Sequence, residues 1–473
     1  MSQTLAIDVG SSSVRAMLFD EQGHANDQVF VQKRYDTRTT SDGGSMIDPV
    51  QITRLIFECI DEALQQPRDG VIERVAMDTL VGNVMGIDAS GRPTTPIYTW
   101  ADTRGAELGN DLQLGDYTRR TGCRVHTSYW PIRLLWLNAH EPGKFEQTRY
   151  WMSLGEYALY LVFGQRRISL STASWSGLLN RHELRWDEVT LCHLPVESDQ
   201  LSEIANAPFQ GLEREWASRW PALKWALWFP SVGDGVASNI GGDCSQPGYV
   251  ALSLGTSGAM RVVVPGTPVE TPEGLFVYRI DDRRSLVGGA LSNAGNLYAW
   301  LNQMLRIDDE AALQTAVGRI TPDGHGLTVL PFLAGERAPG WNDQARAVYM
   351  GMTFDTRPEH LVRAALEAVA YRFYQILRRL KPLLPDDITF IANGAGLVNS
   401  PVWMQIMADV LGAPVYASGQ AEATIRGAAL LALDIAPEPE LGQGSMPNMN
   451  NHRIYQAAVE RQQALYTKLL GEV

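Results

Sequence analysis

An aspartate stands two residues before a turn of small residues near the beginning of this chain. Asp8 is followed by Val9, by G-S-S-S and then by Val14 and Arg15. In such a turn, backbone amides and hydroxyl groups can bind phosphate oxygens, and a carboxylate at the end of a strand can face a divalent cation. This interpretation predicts that Asp8 is a metal ligand, although a plain hairpin explains the turn equally well. The phosphate ligands that it predicts are Ser11, Ser12, Ser13 and Arg15.

The glycine-hydroxyl turn occurs a second time. Val250–Val264 reads V-A-L-S-L-G-T-S-G-A-M-R-V-V-V, and its turn lies 245 residues after the first. A repeat at about half the length of the chain indicates two halves that share one plan. Two such turns that face each other across a cleft could hold a polyphosphate from both sides. The second set of predicted phosphate ligands is Gly255, Thr256 and Ser257.

A further carboxylate lies in the glycine-rich stretch that precedes the second turn. Asp234 stands between two glycines, and we expect an open, tightly turned loop there that leaves the carboxylate uncovered. Such a group is suited to accept the proton of a hydroxyl group that attacks phosphorus. An Asx turn explains an isolated G-D-G sequence at least as well.

The segment W-A-D-T-R supplies an aromatic ring, a carboxylate and a guanidinium group within five residues. Hydroxyl groups need paired donors and acceptors, and a carboxylate ligand favours arginine. Trp100, Asp102 and Arg104 are therefore candidates to bind a polyhydroxylated or acidic small molecule. A surface ion pair would explain the same residues almost as well.

A strand that ends in glycines is predicted in the second half of the chain. Ile391–Gly396 reads I-A-N-G-A-G, and a helix is predicted to begin near Ser400, with this serine as its cap. Ligands of α/β proteins bind in crevices at such strand ends. An ordinary strand-to-helix turn is the alternative. Beside two phosphate turns, however, we expect a nucleotide base or ribose at Gly394 and Ala395.

Strands and helices alternate along both halves of the sequence. Strand patterns cover Leu5–Ile7, Val71–Met77 and Ile388–Ala392. The clearest helical patterns are Pro49–Gln65, Leu154–Phe163, Pro358–Leu380 and Pro401–Leu411. A chain of 473 residues is too long for one core. We therefore predict an α/β fold with two domains, residues 1–244 and 245–473.

Composition and charge restrict the partners of the chain. A net charge of -13 argues against nucleic acid or an anionic membrane as the main partner. The four cysteines lie far apart without a C-x-x-C pair, which argues against a structural zinc site and a disulfide framework. We find no basic and apolar leader and no apolar stretch long enough to cross a bilayer, so we expect a cytoplasmic protein.

Seven ordered motifs resemble those of the FGGY carbohydrate kinases, members of the actin and hexokinase superfamily. They lie at Ile7–Arg15, Trp100–Arg104, Gly233–Gly241, Ser253–Gly258, Gly289–Asn296, Phe332–Trp341 and Trp403–Val415. The resemblance implies two duplicated actin-like, ribonuclease H-like domains with a cleft between them, and ATP with Mg²⁺ as cofactors. It implies that Asp234 is the catalytic base, that the two turns bind phosphates, and that adenosine lies near Gly394. It adds Gly295 and Asn399 to the expected cofactor ligands.

Within that family, R-T-G-C-R-V-H (Arg120–His126) and W-S-G-L-L-N (Trp175–Asn180) are most similar to the gluconate kinase branch. The chain departs from that branch where its members usually carry a serine-rich strand with a histidine near the substrate. Asp78 and Gly82 stand at the approximate equivalents here. If Asp78 lies near the substrate, its charge would repel a sugar acid. A neutral ketose or polyol therefore also stays possible as the substrate.

The resemblance therefore implies a kinase that phosphorylates a hydroxyl group of a small sugar or sugar acid. A substrate similar to gluconate is the first expectation, and a xylulose kinase or another ketose or polyol kinase is the alternative. The expected substrate ligands are Asp78, Trp100, Asp102, Arg104 and Asp234. The expected partner is this small molecule, and a homodimer stays open. A catalytically idle sensor of sugar and nucleotide is the alternative of a different class, and the intact Asp234 argues against it.

Overall fold

The computed structural model describes residues 2–471, except for the side chains of Asn110, Asp111 and Ala395. Two large β-sheets, each covered by helices, make up most of this part of the chain. None of the helices between residues 2 and 471 is long and apolar enough to cross a membrane.

The strands of the first half are β1 (Ser2–Val9), β2 (Ser13–Phe19), β3 (Ala25–Arg34), β4 (Arg38–Thr39), β5 (Ser45–Ile47), β6 (Val71–Thr79), β7 (Met85–Ile87), β8 (Ile97–Tyr98), β9 (Tyr150–Met152), β10 (Arg167–Ile168), β11 (Leu179–Asn180), β12 (Arg185–Trp186), β13 (Glu203–Ile204), β14 (Leu227–Trp228) and β15 (Val232–Gly233). Those of the second half are β16 (Tyr249–Leu254), β17 (Gly258–Pro265), β18 (Phe276–Arg279), β19 (Arg284–Leu291), β20 (Thr328–Leu330), β21 (Val348–Met350), β22 (Thr389–Asn393), β23 (Val415–Ser418) and β24 (Leu441–Ser445).

The α-helices are α1 (Pro49–Gln65), α2 (Leu108–Asp111), α3 (Tyr117–Thr121), α4 (Trp130–His140), α5 (Pro142–Gln147), α6 (Leu154–Phe163), α7 (Leu170–Trp175), α8 (Glu188–Leu191), α9 (Arg214–Arg219), α10 (Asp234–Gly241), α11 (Gly295–Met304), α12 (Glu310–Arg319), α13 (Pro358–Leu380), α14 (Ala395–Val398), α15 (Pro401–Leu411), α16 (Ala423–Leu433) and α17 (Met449–Leu470). Three short 3-10 helices cover Ser198–Gln200, Pro221–Leu223 and Lys381–Leu383.

The two large sheets share one topology. The first has the strand order β14-β6-β1-β2-β3, and the second contains β23-β22-β16-β17-β19 in the same relation. In both sheets a central antiparallel hairpin, β1–β2 or β16–β17, pairs in parallel with a later strand, β6 or β22. The strands β18 and β24 extend the second sheet at its edges. This architecture confirms the predicted α/β fold with two duplicated halves, while the boundary after residue 244 stays a prediction.

Helices with clear end signals form where the sequence predicts them. The bounds of α1, α6, α13 and α15 are those predicted. The Asp48 side chain caps α1 by accepting hydrogen bonds from the amides of Val50 and Gln51 at 2.8 and 3.0 Å. At the start of α6, Ser153 and Glu156 form a capping box.

The two halves exchange helices. The apolar side chains of α10, which follows the first sheet in sequence, pack in one cluster with residues of β17, β18 and β19. In return, Ile425 and Ala429 of α16 pack on the first sheet against Ala6, Met17 and Phe19. Each sheet is therefore covered in part by a helix from the other half of the sequence.

The glycines of α10 and α16 allow these helices to cross in close contact. A Cβ atom on Gly241 would lie 1.8 Å from the carbonyl oxygen of Ala423, and one on Gly427 would lie 1.8 Å from that of Ala237. The prediction of an open loop around Asp234 is wrong, because this glycine-rich stretch forms a strand, β15, and a helix, α10. Its glycines serve helix packing as well as chain reversal.

We predict that Gly427→Ala lowers the free energy of unfolding by at least about 1–3 kcal/mol, since the added methyl group must push the two helices apart. Urea unfolding followed by circular dichroism measures the change. Gly143→Ala is the matched control, because Gly143 is an exposed helical glycine whose Cβ atom would meet nothing within 4 Å. Equal unfolding midpoints for the two variants would show that the crossing tolerates a side chain.

Candidate active site

A cavity of about 260 Å³ lies between the two halves. Its walls come from the loop after β6, the start of α10, the second turn, the strands β17, β18 and β19, and further loops of both halves. The side chains that matter for chemistry here are Trp100, Trp175, Asp234, Ser257, Arg261 and Arg337. A small polar molecule that enters this cavity meets Asp234 and the second glycine-hydroxyl turn together.

Asp234 is the first residue of α10 and follows β15, which pairs with the end of β6. Burial raises the pKa of Asp234 to about 6; the Arg261 guanidinium lowers it and the charge of Asp8 raises it. The flanking glycines leave room for the aromatic wall, since a Cβ atom on Gly233 would lie 2.8 Å from Trp175 Nε1. The carboxyl group is therefore set to exchange a proton near neutral pH.

Asp8 and Asp78 form a buried carboxyl pair behind Asp234. They are direct partners on the parallel strands β1 and β6, and their exposed fractions are 1% and 0%. Burial raises the pKa of Asp78 well above its usual value, and the charge of Asp8 raises it further. Burial also raises the pKa of Asp8, but the Arg15 guanidinium opposes this effect at 2.5 Å. Among the described residues Asp8 pairs with Arg15, whereas Asp78 makes no ion pair within 4.0 Å, so a proton shared by the two carboxyl groups belongs on Asp78.

The position of Asp78 bears on its expected role as a substrate ligand. Asp78 does not line the cavity between the halves, and its carboxyl group faces Asp8. The geometry does not support direct contact between Asp78 and a substrate. The expected repulsion of a sugar acid by Asp78 therefore loses its basis.

The first turn presents some of its predicted phosphate ligands. Ser11 and Ser12 are exposed, whereas Ser13 is buried and its hydroxyl group accepts a hydrogen bond from Gln32 at 3.2 Å. Arg15 is held between Asp8 and Glu422, with both ion pairs at 2.5 Å. In this arrangement Ser11 and Ser12 are free to bind an anion, while Arg15 is occupied by carboxylates.

The second turn gathers most of the remaining cofactor candidates. Gly255, Thr256 and Ser257 are exposed, and the amide of Gly295 donates to the Gly255 carbonyl oxygen at 2.9 Å. Gly394 has a φ of +94°, and a Cβ atom there would lie 2.5 Å from the Leu254 carbonyl oxygen. These glycines therefore bring three backbone segments together at one edge of the second sheet.

Two further residues complete the set expected at the nucleotide. Asn399 is exposed at the end of the same segment, just before α15. The side chain of Ala395 lies outside the described residues. The predicted role of both at adenosine stays a prediction.

One side chain of the W-A-D-T-R segment lines the cavity, and others lie in the protein interior. Trp100 lines the cavity, but Asp102 is fully buried and pairs with Arg104 at 2.6 Å and with Arg133 at 2.7 Å. The Arg104 guanidinium carbon lies 4.2 Å from the centre of the Trp136 ring. Asp102 and Arg104 therefore hold the loop that carries Trp100, and neither lines the cavity.

Gly82 stands near the position of the histidine that is usual in the gluconate kinase branch, and its backbone conformation excludes a side chain. Gly82 has a φ of +65°, and a Cβ atom on it would lie 2.5 Å from the Ser128 carbonyl oxygen. The cavity wall at this point is backbone. Ligand contacts must therefore come from other side chains.

The cavity residues that the sequence did not predict as ligands include Trp175, Arg261, Arg337 and Trp341. Trp175 stacks on Tyr278 with ring centres 3.6 Å apart, and its buried Nε1 has no hydrogen-bond partner among the described residues. Each of the four lies in or just beyond a recognised motif. The motifs identified the segments, but only the fold shows which of their side chains face the cavity.

A group of metal-type ligands lies away from this cavity, at Asp323, His325 and Glu367. The Glu367 carboxylate accepts hydrogen bonds from Arg363, His325 and two tyrosines. Its oxygens are thus already satisfied by protein groups. This cluster stabilises the interior of the second half.

Comparisons with known proteins agree with this architecture. Residues 3–220 match the N-terminal domain model of the FGGY family of carbohydrate kinases, and residues 250–434 match the C-terminal domain model. A gluconokinase of Bacillus subtilis (strain 168) is 28% identical over 91% of this chain and 87% of its own length. A xylulose kinase of Escherichia coli (strain K12) is 27% identical over 98% of this chain and 99% of its own length. The crystal structure of a gluconate kinase from Lactobacillus acidophilus superposes with a TM-score of 0.90 at 25% identity, over 99% of this chain and 98% of that one.

We predict that Asp102→Asn lowers the free energy of unfolding by about 3–5 kcal/mol, because it leaves two largely buried arginines with one weakened partner. Thermal unfolding measures the loss. Asp27→Asn, at an exposed position, is the control and should change stability by no more than about 0.5 kcal/mol. Unchanged stability with weaker binding of the cavity ligand would instead assign Asp102 to ligand binding.

Proposed function

Since this chain belongs to the FGGY family of carbohydrate kinases, we propose that it transfers the γ-phosphoryl group of ATP to a hydroxyl group of a small sugar or sugar acid in the cavity between its halves. The observation that carries this proposal is the position of Asp234, on the wall of that cavity beside Ser257 of the second turn. Gluconate is the first candidate acceptor, because the gluconokinase of Bacillus subtilis is similar over most of the chain.

Asp234 acts as the general base in this proposal. Its carboxylate accepts the proton of the acceptor hydroxyl group as that oxygen attacks the γ-phosphorus atom, and the bond to the bridging oxygen breaks to release ADP. A pKa of about 6 leaves most of the group ionised at neutral pH. The carboxyl group is nevertheless basic enough to take the proton.

The two turns bind the phosphates of ATP. Ser11 and Ser12 approach them from the first half, and Gly255, Thr256 and Ser257 from the second. All five residues are exposed, so that hydroxyl groups and backbone amides of the turns can face the phosphates. Adenosine lies along Gly394 and Gly295, whose lack of side chains lets these segments pack against the backbone of Leu254 and Gly255 at the edge of the second sheet.

Asp8 would hold the magnesium ion that accompanies the nucleotide. Apart from the proton shared with Asp78 and the ion pair with Arg15, its buried oxygens have no partner among the described residues, so the group fits a cation. Magnesium bound there would neutralise charge on the β- and γ-phosphates. Asp78 fixes the orientation of Asp8 through the shared proton, and Arg15 balances the remaining charge.

A ketose such as xylulose is the second candidate acceptor. Its support is the xylulose kinase of Escherichia coli, which aligns with nearly the whole chain at similar identity. The ADP released with gluconate, xylulose, ribulose and glycerol distinguishes these acceptors. ATP binding without turnover on any acceptor would favour a sensor over an enzyme.

We predict that kcat/KM for the acceptor falls about tenfold for each pH unit below 6, because protonation of Asp234 removes the base. Asp234→Asn should lower kcat by at least about 10²–10⁴-fold. Its residual rate should lose the inflection near pH 6. The measurement is ADP release between pH 5 and 8, and an unchanged pH profile in the variant would assign the base to another group.

We predict that Asp8→Asn weakens the binding of Mn²⁺ in the presence of a non-hydrolysable ATP analogue by at least about tenfold. Electron paramagnetic resonance of free Mn²⁺ measures this affinity without catalysis. Asp27→Asn again serves as the control. Equal Mn²⁺ affinity in both variants would place the metal elsewhere.

A further inference from the structure

The cavity contains an arginine whose charge the protein leaves without an ion-pair partner. Arg261 lies on β17 and is half-buried, and its buried Nε atom has no hydrogen-bond partner among the described residues. Across residues 2–471, its guanidinium group makes no ion pair within 4.0 Å, although the charge of Asp234 acts on it from further away. A half-buried arginine without an anion is unfavourable, so this position suits the binding of a negatively charged ligand.

A second arginine of the same half of the chain, Arg337, also lines this cavity. The Nη2 atom of Arg337 donates to the Leu291 carbonyl oxygen at 3.2 Å, and its guanidinium carbon lies 5.6 Å from the Trp100 ring centre. Among the described residues, no carboxylate lies within 4.0 Å of it. The two arginines therefore bring two positive charges to a cavity whose wall carries one carboxylate, Asp234.

The rest of the wall suits a chain of hydroxyl groups. The Trp175 indole supplies a buried Nε1–H donor without a protein partner, and the rings of Trp100 and Trp341 can cover the C–H face of a sugar. The acceptor that matches these walls is polyhydroxylated with one anionic group.

We propose that Arg261 and Arg337 bind the carboxylate of a sugar acid and thereby select aldonic acids over neutral sugars and polyols. This inference rests on the proposed kinase function, which it makes more specific. The planar arginine fork can donate two parallel hydrogen bonds to a carboxylate, which a neutral hydroxymethyl group cannot accept with equal strength. Asp78 does not oppose this choice, since it faces Asp8 and does not line the cavity.

The γ-phosphate of ATP is the other anion that could lie against these arginines, because Arg261 follows the second turn. Arg337 favours the acceptor, since it stacks over Trp100 of the first half and bonds the end of β19. A carboxylate role affects one class of acceptor. A phosphate role would affect every acceptor and the affinity for ATP.

The first experiment compares gluconate with sorbitol, which replaces the carboxylate by a hydroxymethyl group. In the unmodified protein we expect kcat/KM for gluconate to exceed that for sorbitol by at least about tenfold. A preference for sorbitol or xylulose would overturn the inference and leave the kinase proposal intact. Absence of turnover on every acceptor would overturn both.

The second experiment uses Arg261→Gln and, should that variant fail to fold, Arg337→Gln. Each should raise KM for gluconate by at least about tenfold, with KM for ATP and kcat/KM for sorbitol unchanged. Arg261→Lys should restore part of the gluconate affinity. Arg283→Gln removes the same charge at an exposed ion pair with Asp434 and should leave all parameters unchanged. A raised KM for ATP, or equal losses on both acceptors, would assign the arginines to phosphate and overturn the inference.

Discussion

The close crossing of α10 and α16 is the constraint on which the rest of this structure depends. Gly241 and Gly427 place each helix against the backbone of the other, so that a helix from each half can lie on the sheet of the other half. Because Asp234 is the first residue of α10, the crossing also fixes where this carboxylate stands between the two turns. The site is therefore built by the same contact that joins the halves.

Burial then determines the chemistry of the acidic residues near the cleft. Three aspartates lie at the ends of neighbouring strands, and each has a different environment. Asp8 has a cation beside it, Asp78 has another carboxyl group, and Asp234 has open space with Arg261 nearby. The same functional group thus occurs beside a guanidinium group, beside a second carboxyl group, and on the cavity wall, where burial raises the pKa of Asp234 to about 6.

The sequence predicts the regular elements best where end signals are local. Asp48 and Pro49 mark the start of α1, and Ser400 and Pro401 mark that of α15, so both helices have their predicted bounds. The helix α10 is missed, because its glycines are typical of a loop and their reason lies in α16, almost two hundred residues away. The glycine-hydroxyl turns are identified because their pattern occurs twice.

Side-chain direction at the site is harder to predict than the elements that carry it. The segment W-A-D-T-R looks like a ligand-binding set, but Asp102 and Arg104 point into the interior and only Trp100 reaches the cavity. Arg261 and Arg337 lie in recognised segments, yet nothing in the local sequence shows that both face one cavity. Which side chains face the cavity is decided only when the two halves of the chain pack together.

The exchange of helices also affects how the protein can be made on the ribosome. The face of the first sheet that carries Ala6, Met17 and Phe19 is covered by Ile425 and Ala429, which are synthesised near the end of the chain. At about 5–20 residues per second, this apolar face stays uncovered for roughly 20 to 80 seconds. The nascent first half is therefore an incomplete folding unit, and it depends on protection from aggregation until α16 emerges.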